Sequence, residues 1–318
     1  MTIKKLTDRE VAKIIERHEK WLGEQRGGKE ADFTNVIFPP DIVIENHDLS
    51  GTNFTNAVFT NTTFRNCTLT KCIFTLAKME NISFVRSSFT LASLQKADLR
   101  NALFEECDLW GTDFAESSLD DAKFIRVYTH NVILKECSAE RIEIQNSFFK
   151  KADFSKSWII QPSFICSYFD DANFDNSIIT DSTIKGSSFN SASVKDVYFG
   201  GSQICYSSFI DCSLVKTGFP YCEISFSEFQ GADLYEARFQ MARIEDTSFY
   251  FANLENSDLS YGSFIEACFD SADMTNSRVF EASFVKTSFE DADLVGVDFH
   301  EAESLNGEKK GEKCEEEA

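Results

Sequence analysis

The chain is poor in the residues that usually punctuate a globular fold: 4 Pro, 14 Gly and 4 His in 318 residues. No apolar run approaches the roughly 18 residues of a membrane span. The opening MTIKKLTDRE has no apolar signal-peptide core, so a cytosolic protein without membrane contact is expected. Basic residues are outnumbered, 31 Lys and Arg against 52 Asp and Glu, for a formal net charge of -21. That balance disfavours nonspecific binding to nucleic acid or anionic lipid, and favours basic partners or plain solubility. Also missing are a Cys-x-x-Cys pair and a Gly-rich nucleotide fingerprint, and His18, His47, His130 and His300 are scattered. Lys29 after Gly27 and Gly28 is no phosphate loop. Carboxylate pairs such as Asp120-Asp121 and Glu290-Asp291 are expected to point outward, without the low-dielectric cleft that tunes catalytic acids. The expectation is a protein that is not an enzyme and has no cofactor or metal.

Phe, by contrast, is abundant, with 32 copies, and it is used as a repeated part. From Ile42 to Glu301 a large apolar residue recurs at every fifth position, from Ile44, Leu49, Phe54 and Phe59 to Leu294 and Phe299; of about 52 such positions only Thr129 and Ala139 fail. Two residues earlier sits a small residue, such as Ala97, Ala152 or Ala232. Six of the ten cysteines (Cys67, Cys72, Cys107, Cys137, Cys212, Cys222) occupy this small position, which reads them as buried, reduced structural residues. A repeat that never breaks register argues for one elongated body over two globular domains.

Three segments follow. Residues 1–30 hold a helix over residues 6–22 and a Gly-rich lead-in. Thr7 and Glu10 give a capping-box signature, and Val11, Ile14, Ile15, His18 and Leu22 share one helical face. The helix either caps the repeat stack or binds a partner. Residues 31–302 are the repeat, which Phe33 and Phe38 open and Pro39-Pro40 interrupt, so a distorted first coil is expected. Residues 303–318, rich in Glu, Lys and Gly, read as a disordered polar tail.

The local order of small, polar, large apolar, polar, polar fits neither the helical nor the strand period. It fits a coil of short extended sides. The units Ala-Asp-Leu-Arg-Asn (97–101), Ala-Asp-Phe-Ser-Lys (152–156), Ala-Asn-Phe-Asp-Asn (172–176), Ala-Asp-Leu-Tyr-Glu (232–236) and Ala-Asn-Leu-Glu-Asn (252–256) resemble the A(D/N)LXX signature of the pentapeptide-repeat family. The resemblance implies an all-β solenoid, a right-handed quadrilateral β-helix of about 13 coils with an N-terminal helical cap. Residues 20 apart then lie above one another. Arg238, Asp258, Arg278 and Asp298 are expected to form a ladder of alternating charge, and Tyr221, Met241 and Tyr261 a second column. Around Thr129 and Ala139, Val127, Val132 and Ile142 enlarge the small site, a compensation of interior volume. Trp158, Ile160 and Ile165 are outward and apolar, marking either an interface or a local bend.

Charge is uneven along the repeat. Residues 222–301 hold 17 acidic side chains against Arg238, Arg243, Arg278 and Lys286, a net of -13. Four coils at about 4.8 Å span about 19 Å, a length over which duplex DNA carries about 11 charges. Family members of this kind are DNA mimics that bind type II topoisomerases and protect them from quinolones or peptide toxins. The resemblance therefore implies a protein partner with a basic DNA-binding groove, possible homodimers through the C-terminal coil end, and no direct nucleic-acid binding. Asp233, Glu236, Glu255, Asp270, Asp273, Glu290, Asp291 and Asp293 are the candidate contacts. The alternative is a scaffold or a phage or bacterial effector that binds a protein through the mid-rod surface at Trp158.

Overall fold

The computed structural model describes residues 3–304, so most of the expected polar tail lies outside the described residues. The chain divides into two compact units, Met1–Ile159 and Ile160–Ala318.

In the first unit, helix α1 (Asp8–Leu22) starts where the capping box predicts: Glu10 N–H donates to Thr7 Oγ1 at 3.3 Å and Thr7 N–H to Glu10 Oε2 at 2.9 Å. Each satisfies an N–H that the helix cannot. Val11, Ile15 and His18 are buried, and strand β1 (Lys4–Lys5) pairs in parallel with β2 (Val36–Ile37). The helix is thus a cap: Ala31 N–H donates to His18 Nδ1 at 3.0 Å, and His18 Nε2 lies 3.3 Å from Thr52 Oγ1.

The solenoid of this unit is carried by a parallel ladder of three-residue strands, Val43–Glu45, Thr63–Arg65, Ser83–Val85, Leu103–Glu105, Lys123–Ile125 and Glu143–Gln145. Its register advances 20 residues per step, as in Ile44↔Phe64 and Phe64↔Phe84. Inside, Phe64, Phe84, Phe104 and Phe124 stack at 5.3, 5.1 and 4.9 Å. The first coil keeps this stacking, Phe33 on Phe54 at 5.3 Å, but with a register of 21 (Asp32↔Asn53, Ile37↔Val58). The extra residue is absorbed after Phe38, where Pro39-Pro40 sits and Asp41 turns left-handed. Val127, Val132 and Ile142 are buried, as are Thr129 and Ala139, so the larger residues at the small position do point inward there.

The second unit repeats the plan with strands Ser163–Ile165, Thr183–Lys185, Gln203–Cys205, Glu223–Ser225, Arg243–Glu245, Ser263–Ile265, Ser283–Val285 and Glu303–Ser304. Phe189, Phe209, Phe229, Phe249, Phe269 and Phe289 form one column with centroid spacings between 4.8 and 5.3 Å. Phe289, Leu294 and Phe299 are only half-buried, unlike their counterparts one coil earlier. The described coils number about 12 where the sequence count gave about 13.

The small position has a specific task. At many of these positions the hydroxyl or thiol donates to the carbonyl of the large residue 23 positions back: Cys72 to Leu49, Thr112 to Phe89, Ser187 to Phe164, Cys222 to Phe199. A side chain that fits the narrow interior and can hydrogen-bond a ladder carbonyl explains why Ser, Thr and Cys alternate with Ala there.

Candidate binding surface

Each side of a coil ends in a corner, and the corners dictate part of the surface chemistry. Every fifth residue, two past each large inward one, has left-handed backbone. Asn, Asp and Gly tolerate that region best. They fill many corners, among them Asn46, Asn56, Asn66 and Asn101 in the first unit and Asp181, Asp196, Asp211, Asn256 and Asp291 in the second. Part of the negative charge therefore comes from turning the chain.

A second part caps backbone. The Oδ1 atoms of Asp233, Asn253, Asp273 and Asp293 accept the N–H two residues on, from Tyr235 (3.3 Å), Glu255 (3.0 Å), Thr275 (2.9 Å) and Val295 (3.1 Å). Asx side chains commonly make this local bond. Asn253 makes it without charge, so the fold requires an oxygen there and leaves the sign open.

Within the second unit, parallel bridges Asp233↔Asn253, Asn253↔Asp273 and Asp273↔Asp293 put these four residues in one column. Glu255 lies two residues beyond Asn253 on the same side, and Glu236 and Asp291 sit on its two corners. The structure therefore gathers Asp233, Glu236, Glu255, Asp273, Asp291 and Asp293 on one side. Lys216 Nζ lies 3.7 Å from Glu236 Oε2, and Asn256 Nδ2 donates to Glu255 Oε1 at 3.1 Å. Glu290 is exposed on the neighbouring side.

Asp270 does not belong to this surface. It is 6% exposed, and its Oδ1 accepts both the Ser288 hydroxyl and the Glu290 N–H (2.7 Å) of the next coil. Asp175, with Ser193 Oγ at 2.8 Å and Lys195 N at 2.9 Å, makes the same pair of bonds. A carboxylate used this way ties coils together and offers nothing to a partner. Trp158 lies in the first unit, 58% exposed, while Ile160 and Ile165 are half-buried.

The expected charge ladder is also corrected. Arg238, Asp258 and Arg278 do share a column, yet no ion pair joins them among the described residues. Asp258 is already occupied, accepting Ser260 N–H and Gln240 Nε2–H at 3.0 Å each. The two arginines instead border a shallow depression of about 390 Å³ with Lys216, Glu236 and Asp258.

No cluster of His, Cys, Asp and Glu among the described residues has the arrangement of a metal site. Among the described residues no helix is long and apolar enough to cross a membrane. The six cysteines at small positions are buried, and burial pushes the Cys107, Cys212 and Cys222 thiols up to about 12 and Cys137 to about 11. Such thiols hold no useful thiolate at neutral pH.

Residues 45–75, 77–105, 97–128 and 237–276 match the model described as pentapeptide repeats, with 8 copies. No curated protein matches the chain. Among solved structures it is similar to HetL, a protein involved in heterocyst differentiation regulation in the cyanobacterium Nostoc, at 15% identity over 73% of this chain and 90% of that one (TM-score 0.32). It is also similar to a trypsin-treated form of QnrB1, a plasmid-mediated fluoroquinolone resistance protein, at 18% identity over 64% of this chain and 91% of that one (TM-score 0.43). A third similarity is to tailspike protein 3 of bacteriophage CBA120, at 12% identity over 96% and 60% of the two chains (TM-score 0.41). None of these likenesses assigns a role to a residue. The matched repeats, with a large inward residue every fifth position and a register of 20, make this chain a pentapeptide-repeat protein.

Proposed function

We propose that this is a non-enzymatic cytosolic binding protein whose acidic side in the second unit occupies the DNA-binding groove of a basic protein partner. The observation that supports this reading is the gathering of Asp233, Glu236, Glu255, Asp273, Asp291 and Asp293 on one side, where among the described residues only Lys216 lies within ion-pair distance of any of them. They belong to a stretch, residues 222–301, whose net charge of -13 over about 19 Å is comparable with the charge of about 11 that a duplex carries over that length. A type II topoisomerase is the first partner to test, because pentapeptide-repeat proteins of this charge act on those enzymes. The half-buried Phe289, Leu294 and Phe299 favour pairing with a second copy through the last coil.

The test is a gyrase supercoiling assay with and without quinolone, using the full chain and an Asp233→Asn/Asp273→Asn/Asp293→Asn variant. Asparagine keeps the backbone cap, as Asn253 shows, so the variant loses charge and not structure. Inhibition or drug protection by the wild type, lost in the variant, is expected. Equal behaviour of the two proteins sinks the assignment of this side.

A second reading rests on Trp158, whose ring is exposed on a strand that buries Ile159. It makes the protein a scaffold or effector, and Trp158→Ala then abolishes partner capture while the Asp→Asn variant leaves it intact.

A further inference from the structure

Corner positions also carry residues that corners disfavour. Between residues 206 and 261, Tyr206 (φ 52°), Tyr221 (59°), Phe226 (48°), Met241 (58°), Phe251 (56°) and Tyr261 (61°) all have left-handed backbone. Each is exposed, Tyr221 by 63% and Tyr206 by 60%. A bulky side chain in this region is strained, and an exposed one gains little burial in return. Comparable corners in the first unit are held mostly by Asn, Asp, Lys, Arg and Glu, with Leu76 and Leu91 the large apolar exceptions. Strain without a folding benefit, concentrated in three successive coils, is the signature of a surface kept for another purpose.

Five of the six border a single side. Tyr221, Met241 and Tyr261 follow one another at a register of 20 along one corner of the strands Glu223–Ser225, Arg243–Glu245 and Ser263–Ile265. Tyr206 and Phe226 line the other corner, their rings stacked 4.9 Å apart and 5° from parallel. With four sides to a coil, this side lies opposite the Asp233–Asp293 column and shares no residue with it. Its charge is also negative. Arg243 pairs with Glu245 and Lys286 with Glu266, each at 2.6 Å, but Glu223 and Glu281 have no ion-pair partner among the described residues. Glu281 extends the Tyr221–Met241–Tyr261 corner by one coil, and Glu223 stands two residues from Tyr221.

Aromatic faces with unpaired carboxylates between and beyond them are complementary to one kind of side chain. A guanidinium stacks on a tyrosine ring and donates in pairs to a carboxylate, and it is more easily stripped of water than an ammonium. We propose that this aromatic-edged side docks an extended, arginine-bearing segment of a protein partner, with the guanidinium groups stacked along the Tyr221–Met241–Tyr261 corner and held by Glu223 and Glu281. The proposal does not depend on the reading of the opposite, acidic side.

The test uses the full chain and two labelled peptides of equal charge, arginine alternating with glycine and lysine alternating with glycine, followed by fluorescence anisotropy at physiological salt. Stacking predicts that the arginine peptide binds about tenfold tighter than the lysine peptide. The Tyr221→Asn/Met241→Asn/Tyr261→Asn variant, which places a corner-tolerant residue at each position, loses that preference while its unfolding midpoint stays level or rises. The Asp233→Asn/Asp273→Asn/Asp293→Asn variant keeps the preference, because its changes lie on the opposite side. Equal affinity for the two peptides overturns the proposal, as does a preference that survives the corner substitutions. Sedimentation of the wild type as a dimer that the corner substitutions dissociate also overturns it, since the surface then takes a second copy of this chain.

Discussion

Cys212 Sγ donates to the Phe189 carbonyl oxygen at 2.7 Å, joining residues 23 apart in sequence but one coil apart in space. The bond makes a cysteine equivalent to serine or threonine at the small position and unlike alanine. Cys212→Ser, which keeps a donor of similar size, is expected to leave stability within about 0.5 kcal/mol of wild type, while Cys212→Ala loses about 1 kcal/mol with the bond. Cys212→Leu overpacks the interior and loses about 1–3 kcal/mol. Guanidinium unfolding midpoints check the order. Cys212→Ala matching Cys212→Ser would falsify the donor role.

The same burial fixes thiol reactivity. Native protein treated with a thiol reagent near pH 8 should label Cys166 first, since that corner residue is exposed, and Cys205 more slowly. Cys107, Cys137, Cys212 and Cys222, pushed to about 11 or 12 by burial, should label only on unfolding. Cys166→Ser should remove the fastest phase. Mass spectrometry of quenched samples identifies each site, and early labelling of Cys107 or Cys222 contradicts the packing.

Not every small-position hydroxyl finds a carbonyl. Ser257 Oγ and Ser277 Oγ are buried without a hydrogen-bond partner, whereas Ser207 donates to the Cys205 carbonyl at 2.9 Å and accepts the Ser187 N–H at 3.3 Å. A buried hydroxyl without a partner carries a desolvation penalty of about 1 kcal/mol or more. Ser257→Ala and Ser277→Ala should therefore stabilise the protein by about that amount, and Ser207→Ala should destabilise it. Thermal melts that move in the same direction for all three would contradict this account.

The interior was legible in the sequence because a single period governs it. Phe at every fifth position and a small residue two before it fixed the solenoid, its register of 20 and even the inward Val127 at an enlarged small position. The surface was less legible, because one residue type serves several tasks outside the core. Asp233 caps a backbone N–H, Asp211 holds a left-handed corner, Asp270 bridges two coils and exposed Glu223 accepts from the Gln203 side chain, yet all add equally to net charge. A signal did exist. Asp270 is followed after 18 and 20 residues by Ser288 and Glu290, as Asp175 is by Ser193 and Lys195, and that spacing marks a bridge between coils. The Arg238–Asp258–Arg278 ladder failed for a related reason, since a column places side chains in reach but does not reveal which donor already holds the carboxylate. The cost of Tyr221 and Phe226 became visible only when their positions were known to be left-handed corners.

The N-terminal cap should release in mild acid, and the residue responsible is His18. Its ring is buried and stacked 5.5 Å from the Trp21 ring, with Nδ1 accepting the Ala31 N–H and Nε2 beside Thr52 Oγ1. An acceptor nitrogen cannot carry a proton, so protonation breaks the Ala31 bond as well as burying a charge. Burial lowers the His18 proton affinity below the ordinary value of 6.5, outweighing the opposite pull of the Ser50 backbone and of Asp48, Glu30 and Glu19. The unfolded cap binds a proton more readily than the folded one. Its contribution to stability is therefore complete above about pH 6.5 and is lost as pH falls through the lower folded value. Glu10, held near 2 by the Thr7 backbone and by Lys4, keeps its capping bonds throughout this range. Protection of the helix amides from hydrogen exchange, relative to the intrinsic rate at each pH, should fall between pH 7 and 5, while the core strands stay protected. A His18→Gln variant, which can still accept the Ala31 N–H but does not titrate, should lose that dependence; if the variant keeps it, another group controls the cap.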